Sequence, residues 1–251
     1  MDKNENEILY RINEDAALYY HEFLNGQFGQ KCRNFLVDRE HFTDSTINHF
    51  EIGYAGDECN LYSFLKDHGY SKTQIEQSKL IRLDNTEAYK NRVVFPIKDE
   101  FGRCVGFFGR LIEREKAPTW INVRSVVFDE NCFYGIDRVK ESDSDNILIC
   151  EGVLDAIMAH QTGFDMTVGI IRPALSAEHV LRLKEYGKKV MLCFNSDEVG
   201  KRATNKALEH LKNAGIVGSL MDCSPYRDFW EFIVESGEEK IADCLRTLRN
   251  N

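Results

Sequence analysis

Residues 146–155 read Asn-Ile-Leu-Ile-Cys-Glu-Gly-Val-Leu-Asp, an apolar run that ends abruptly on an acid. A second run, residues 189–200, reads Lys-Val-Met-Leu-Cys-Phe-Asn-Ser-Asp-Glu-Val-Gly and repeats the pattern. Short apolar runs of this kind are typical of buried strands. Because parallel strands end at one edge of a sheet, the acids that follow should gather there, where they can bind divalent cations.

The sequence from residue 146 onward alternates between strand-like and helix-like patterns. Such alternation is typical of right-handed βαβ units and predicts a mostly parallel sheet. The predicted strands cover residues 147–150, 166–171, 190–194 and 216–221. The predicted helices cover residues 154–161, 176–186, 199–214, 228–234 and 239–248.

The first part of the chain has a different pattern. Apolar residues recur at three- and four-residue spacing between residues 13 and 69, which predicts short helices, with Thr43 and Ser71 as helix caps. Residues 92–97 and 103–110 are strand-like and predict an antiparallel hairpin. We therefore predict an α+β protein with two domains, a mixed helical and antiparallel-strand subdomain over residues 1–140 and an α/β domain over residues 141–251.

The composition predicts a cytoplasmic globular protein. The 251 residues are 43% hydrophobic, enough to bury a core. No apolar stretch approaches the roughly 20 residues of a membrane helix, and residues 1–7 are polar and acidic, unlike a secretory signal. The eight cysteines form no CxxC pair, so we expect no zinc in this chain.

The net charge of −9 is unusual for a protein that binds nucleic acid, because affinity for the phosphate backbone comes mainly from Lys and Arg. The charge is uneven, and residues 81–138 are the least acidic part of the chain. We therefore expect a nucleic-acid groove, if the protein has one, in the first domain. Clustered metal ligands also add to the acidic total, since the metal offsets their charge.

Motifs spread over most of the chain resemble those of one family. Residues 151–155 and 195–200 resemble the Glu-Gly-Tyr-Met-Asp and Asp-Gly-Asp-x-Ala-Gly motifs of TOPRIM domains. Residues 91–97 and 102–110 resemble an Asn-Arg-x-x-Phe-Pro-Ile motif and a Gly-Arg followed by Gly-Phe-x-Gly-Arg. Together they identify the chain as similar to the catalytic core of bacterial DnaG-type DNA primases, as a divergent member without the amino-terminal zinc-binding domain that full-length members carry.

The resemblance implies a set of site residues. It implies catalysis by Glu151, Asp155 and Asp197, and binding of Mg²⁺ or Mn²⁺ by these three together with Asn195 and Asp228. Hard cations of this kind select oxygen ligands. For nucleic acid or nucleotide, the predicted contacts are Arg92, Arg110, Asn91, Asn122 and Lys201.

Several positions depart from the family pattern. Asn195 replaces the first aspartate of the second TOPRIM motif, and Trp230 replaces the second aspartate of an Asp-Pro-Asp-Glu segment that begins at Asp228. Thr119 stands where the family usually has a lysine. The loss of two carboxylates should lower the affinity for at least one metal ion.

Each predicted metal ligand has a structural alternative. Glu151 is also explained as an acid at a helix start, where it meets the helix dipole. Asp155 is also explained as a surface helix residue, and Asp197 or Ser196 as the cap of the next helix. The shared position at the ends of adjacent strands favours metal binding over these alternatives.

The resemblance implies metal-dependent synthesis of short RNA primers on single-stranded DNA, a nucleotidyltransferase reaction that uses ribonucleoside triphosphates. A replicative helicase would bind through regions outside this chain. The departures support an alternative, a primase-like module without catalysis that binds DNA or serves as a scaffold in a replication complex, such as that of a mobile element. A TOPRIM nuclease or topoisomerase is a weaker interpretation, because topoisomerases need a further domain with a nucleophilic tyrosine.

Overall fold

The structure is a computed structural model that describes residues 3–82, 84–113, 118–139, 144–172 and 174–250. The chain forms two compact units, residues 1–129 and residues 130–251. The predicted domain boundary between residues 140 and 141 falls in a stretch, residues 140–143, that lies outside the described residues. None of the helices in the described ranges combines the length and the apolar character needed to cross a membrane.

The first unit is rich in short helices, as the periodicity predicts. Side-chain caps begin three of them, and the predicted caps Thr43 and Ser71 are confirmed, with Ser71 in a reciprocal capping box with Gln74. A π-helical turn, Phe35–Arg39, directly follows the second helix. The helices are α1 (Lys3–Asn25), α2 (Gln30–Asn34), α3 (Asp44–His49), α4 (Leu61–Asp67) and α5 (Lys72–Ser78).

A four-stranded antiparallel sheet completes the first unit. Its strands are β1 (Gly53–Ala55), β2 (Arg92–Lys98), β3 (Cys104–Leu111) and β4 (Trp120–Asn122), in that spatial order. The predicted hairpin is the pair β2 and β3, in which Phe95 lies opposite Phe108. Gly102 in the connecting turn has φ +79°, which a glycine adopts without strain. The hairpin prediction is therefore confirmed.

The two faces of this sheet have different surroundings. One face packs on α1, where the rings of Tyr20 and Phe107 meet edge to face with centroids 6.1 Å apart and both are fully buried. Side chains alternate along a strand, so Phe108 and Arg110 point to the opposite face. Trp120 lies directly opposite Arg110 on β4 and therefore shares that face.

The second unit is an α/β layer structure with a five-stranded sheet in the order β5-β7-β6-β8-β9. Strands β6 to β9 are parallel to one another, and β5 at the edge of the sheet is antiparallel to β7. The predicted mostly parallel sheet is confirmed. The strands are β5 (Phe133–Tyr134), β6 (Asn146–Cys150), β7 (Thr167–Ile170), β8 (Lys189–Cys193) and β9 (Gly218–Leu220). The helices are α6 (Ile136–Val139), α7 (Val153–Gln161), α8 (Ala177–Tyr186), α9 (Glu198–Asn213), α10 (Phe229–Glu235) and α11 (Glu238–Asn250).

The register of this sheet sets the position of the acids. Cys150 at the end of β6 pairs with Cys193 at the end of β8, so the two strands end side by side. Both cysteines are buried, as core residues should be. The segments that begin at Glu151 and Phe194 therefore leave the sheet at the same edge, as the two apolar runs predict.

Candidate metal site at the carboxyl edge of the sheet

Glu151 and Asn195 are in direct contact. The backbone N–H of Asn195 donates to Oε1 of Glu151 at 3.2 Å, which ties the end of β6 to the loop after β8. Glu151 is half-buried, and burial raises the pKa of its carboxyl group, with further increases from the charges of Asp197 and Asp228. The hydrogen bond from Asn195 lowers this pKa, against the effect of burial. The contact uses the backbone of Asn195 and is therefore independent of the aspartate-to-asparagine change.

Asp155 is almost completely buried in the first turn of α7, with 8% of its surface exposed. Its Oδ1 accepts a hydrogen bond from the backbone N–H of Trp230 at 3.0 Å. Burial, followed by the charge of Asp228, raises the pKa of Asp155 to about 7. Asp155 is therefore a buried residue, and its alternative interpretation as a surface helix residue is wrong.

Asp197 and Asp228 both cap helices. Asp197 is exposed, and its Oδ1 accepts from the backbone N–H groups of Val199 at 3.0 Å and Gly200 at 2.7 Å, at the start of α9. Asp228 accepts from the N–H of Glu231 at 2.8 Å at the start of α10. The capping role proposed as an alternative for Asp197 is confirmed. A cap holds a carboxylate in one orientation and favours its ionised form, so capping does not prevent metal binding.

The four acids share one electrostatic environment. Asp228 raises the pKa of both Glu151 and Asp155, and Asp197 raises that of Glu151. Arg227 forms an ion pair with one of these acids, and its Nη2 lies 2.7 Å from Oδ2 of Asp228. Such mutual repulsion among carboxylates is relieved by a bound cation.

The acids do not form a closed cage. In the described part of the chain, no three Asp, Glu, His or Cys side chains are arranged to enclose a metal ion. Mg²⁺ usually keeps several waters and binds one or two carboxylates together with substrate phosphates, so an open set of acids is compatible with it. The donor set of hard oxygens fits Mg²⁺ or Mn²⁺ in its chemistry.

The two arginines predicted to contact nucleic acid are both engaged within the first unit. Arg92 begins β2, is 5% exposed, and its Nη1 donates to the carbonyl of Thr119 at 3.0 Å. Arg110 on β3 forms an ion pair with Glu40, whose Oε2 lies 2.5 Å from Nη1 of the arginine. Neither guanidinium is presented to solvent as a surface contact would be.

The remaining predicted contacts lie in separate places. Asn91 precedes β2 with φ +59° and donates its backbone N–H to the carbonyl of Ala55 at 2.6 Å. Asn122 ends β4 in the same unit, whereas Lys201 is exposed on α9 in the second unit and lies 3.4 Å from Glu198. The predicted nucleic-acid contacts are thus divided between the two units, with Lys201 in the second unit. Those contacts remain predictions.

Sequence analysis missed two partner residues, Arg227 and Glu40, and the role of the Trp230 backbone. Arg227 pairs with Asp228, and this contact could have been predicted because the arginine directly precedes the acid in the sequence. Trp230 acts through its backbone, which no side-chain pattern reveals. Glu40 is 70 positions away from its partner Arg110, and nothing in the sequence links the two.

We expect the stability of the second unit in the absence of metal to fall as the pH rises from about 4 to about 7. The pKa of Asp155 is raised from 3.8 to about 7, so the folded state binds a proton more tightly than the unfolded state. The protonated form therefore stabilises the fold below pH 3.8, and this contribution is lost as the pH rises towards 7. Asp155→Asn should remove this loss of stability with rising pH.

The check is thermal unfolding of the native chain and Asp155→Asn in EDTA between pH 4 and pH 8. We expect similar melting temperatures at pH 4 and a higher one for the variant at pH 8. Asp165→Asn, which makes the same change at a partly exposed acid of the same unit, serves as the control. A native melting temperature that rises relative to Asp155→Asn between these pH values would contradict the assignment.

Comparison with protein families gives two matches. Residues 19–140 match the family described as DNA primase catalytic core, N-terminal domain, and residues 148–233 match the Toprim-like family. Among individual proteins, a DNA primase of Clostridium acetobutylicum is 31% identical over 99% of this chain and 42% of its own length. A DNA primase of Deinococcus radiodurans is 32% identical over 82% of this chain and 37% of its own length. The chain thus spans less than half the length of these relatives.

Solved structures with the same fold include an Aquifex aeolicus primase comprising zinc-binding and RNA polymerase domains. It superposes with a TM-score of 0.85 and 26% identity, over 100% of this chain and 63% of that one. A DnaG primase catalytic domain bound to single-stranded DNA superposes with a TM-score of 0.83 and 22% identity, over 99% of this chain and 81% of that one. The second comparison, at its lower identity, concerns the fold alone.

Proposed function

This chain belongs to the family of DnaG-type DNA primase catalytic cores, and we propose that it synthesises short RNA primers on single-stranded DNA in a metal-dependent nucleotidyl transfer. Both family matches and the named relatives support the proposal. We propose that the substrates are ribonucleoside triphosphates and that the reaction takes place in the cytoplasm. A helicase partner would bind outside this chain.

One observation carries the proposal, namely the group of acids at the carboxyl edge of the parallel sheet. Glu151 and Asp155 lie directly after β6 and in the first turn of α7, and Asp228 raises the pKa of both. Uncompensated carboxylates are costly unless a cation binds between them. Because these carboxylates repel one another when no metal is bound, their arrangement supports a site that functions with a bound metal ion.

We assign the divalent cation to Glu151, Asp155, Asp197 and Asp228, with the side-chain oxygen of Asn195 as a neutral ligand. When bound, Mg²⁺ or Mn²⁺ would offset the negative charge that develops on the transferring phosphate. Glu151 is the residue we assign to proton transfer, since burial raises its pKa and makes it a better base. The 3′-hydroxyl oxygen of one nucleotide attacks the α-phosphorus of the next, the bond to pyrophosphate breaks, and Glu151 accepts the hydroxyl proton.

The basic residues divide into two groups by exposure. Lys201 is exposed on α9, four positions after Asp197, and can reach a phosphate in solution. Arg92 is buried and Arg110 is partly buried, and both are bonded to protein groups. We therefore propose that they shape the sheet that faces nucleic acid and do not bind phosphates themselves.

The test is incorporation of labelled ribonucleotides on a single-stranded DNA template, in Mg²⁺, in Mn²⁺ and in EDTA. We expect short RNA products with either metal and none in EDTA. Single-stranded DNA binding without any incorporation under all three conditions would overturn the proposal and favour the non-catalytic module.

Asn195→Asp should lower the Mg²⁺ concentration needed for half-maximal primer synthesis by about tenfold. The substitution restores a carboxylate at the position where the family has one, and a charged ligand holds Mg²⁺ more tightly than a neutral amide. The backbone contact from residue 195 to Glu151 does not depend on the side chain and should persist. A magnesium titration of the synthesis rate measures the shift.

Asn205→Asp is the matched control, because it adds the same charge at an exposed position of α9 away from the acids. It should leave the magnesium dependence unchanged. An equal shift in both variants would show that general surface charge, and not a ligand at residue 195, causes the effect.

A further inference from the structure

Two thiols are in contact near the carboxyl edge of the parallel sheet. The Sγ atoms of Cys193 and Cys223 lie 2.9 Å apart, and both residues are buried. Cys193 ends β8 and Cys223 follows β9, so the contact joins two strand ends that are 30 positions apart in the sequence. A disulfide bond is about 2.05 Å long, so the two sulfurs need to approach by less than about 1 Å to form one.

The two thiols belong to the segments that carry the acids. Cys193 leads directly into the loop after β8, and Cys223 lies five positions before Asp228. A hydrogen bond already joins these segments, since the backbone N–H of Ser196 donates to the carbonyl of Arg227 at 2.7 Å. A bond between the thiols would therefore add a covalent link between two segments that are already in contact.

A third thiol lies beside the pair but is less accessible. Cys150 pairs with Cys193 across β6 and β8 and is completely buried, whereas Cys223 is 5% exposed. A small oxidant therefore reaches Cys223 first. A hydrogen bond with Cys193, followed by burial, raises the pKa of Cys223. Because the thiolate is the reactive form, the pair rests as thiols and needs a strong oxidant.

We propose that Cys193 and Cys223 are a modification site, at which a reversible disulfide links the two segments that carry the acids. With hydrogen peroxide as the oxidant, the sulfur of Cys223 attacks one oxygen, the O–O bond breaks, water leaves and a sulfenic acid forms. The sulfur of Cys193 then attacks the sulfenic sulfur, the S–O bond breaks, and a second water leaves with the thiol proton. Two thiols thus lose two electrons, and one peroxide becomes two waters.

The consequence for metal binding rests on the proposed function. Closing the bond moves the segment that carries Asp228 relative to the end of β8, by up to about 1 Å. Functional side chains need to be held within about 0.5 Å of their working positions. The oxidised chain should therefore bind Mn²⁺ about tenfold more weakly than the reduced chain, an effect of the size seen when groups that orient metal ligands are changed.

The test oxidises the full chain with hydrogen peroxide in EDTA, blocks the remaining thiols and maps disulfides by mass spectrometry of its peptides. We expect one link, between Cys193 and Cys223, which dithiothreitol reverses. The link should raise the melting temperature in EDTA by about 5 °C or more, because it restricts the unfolded chain. Cys223→Ser, which nearly keeps the size of the side chain, should show neither the link nor the rise.

Cys244→Ser is the matched control, because Cys244 is a half-buried cysteine of α11 in the same unit. It should form the link as the native chain does. No link, a link to Cys150 instead, or a link that forms only in denaturant would overturn the proposal.

A Mn²⁺ titration of the oxidised and reduced chains separates this proposal from the proposed function. Weaker binding after oxidation in the native chain and in Cys244→Ser, but not in Cys223→Ser, is the expected result. A mapped link with equal Mn²⁺ binding in both states would overturn the effect of the link on the acids. A mapped link in a chain that binds no Mn²⁺ in either state would refute the proposed function alone.

Discussion

Glu151→Gln should lower primer synthesis by at least about 100-fold, the usual contribution of a positioned acid or base to a proton transfer. The substitution removes a charged ligand from the metal site and the base we assign to the 3′-hydroxyl proton. It retains the size of the side chain and an oxygen that can accept from the N–H of Asn195, so the end of β6 should stay tied to the loop after β8. The measurement is the initial rate of ribonucleotide incorporation.

The control for this variant is Glu235→Gln, which makes the same chemical change at an exposed position at the end of α10. It should retain full activity. Thermal unfolding of Glu151→Gln should show no loss of stability, because neutralising a half-buried acid relieves repulsion from Asp197 and Asp228. A rate within a factor of two of the native chain would remove Glu151 from the catalytic mechanism.

Gly200→Ala should destabilise the second unit by about 3 kcal/mol, an overpacking effect at the upper end of the usual range. In an ordinary helix this change stabilises by about 1 kcal/mol, since alanine is the better helix former. At residue 200 a Cβ would lie 2.1 Å from the backbone carbonyl oxygen of Asn195, and backbone cannot move aside as a side chain can. The clash involves the turn that contains Asn195 and Asp197, so Gly200→Ala should weaken metal binding as well as the stability of the fold.

Gly237→Ala serves as the comparison, since no atom lies within 4 Å of a Cβ placed there. Its effect should be within about 0.5 kcal/mol, as for other surface substitutions. Urea unfolding of both variants gives the two free energies. A Gly200→Ala chain as stable as Gly237→Ala would mean that the turn before α9 is not packed as described.

The second unit could be predicted largely from sequence, because its signals are local. Each buried strand is an apolar run, and each run ends on a polar residue that leaves the sheet. The parallel order then places Glu151 and Asn195 at one edge without further information. The helix cap at Asp197 could also be predicted, since an acid before a helical segment is a local signal.

The parts that sequence analysis missed depend on contacts between distant residues. Strands β1, β4 and β5 have only three, three and two residues, too few to show any alternation. Their strand character comes from the partner they pair with, and β5 pairs with a strand more than 30 positions later. Arg92 illustrates the same limit, because a basic residue at a strand start is usually solvated and here is buried by its tertiary surroundings.

Binding of a divalent cation by the acids at the carboxyl edge can be measured by a Mn²⁺ titration, followed through the paramagnetic resonance signal of the unbound ion. We predict that the native chain binds Mn²⁺ and that Glu151→Gln raises the dissociation constant at least about tenfold, with Glu235→Gln unchanged. Equal Mn²⁺ binding by the native chain and Glu151→Gln, or none by either, would show that Glu151 is not part of a cation site.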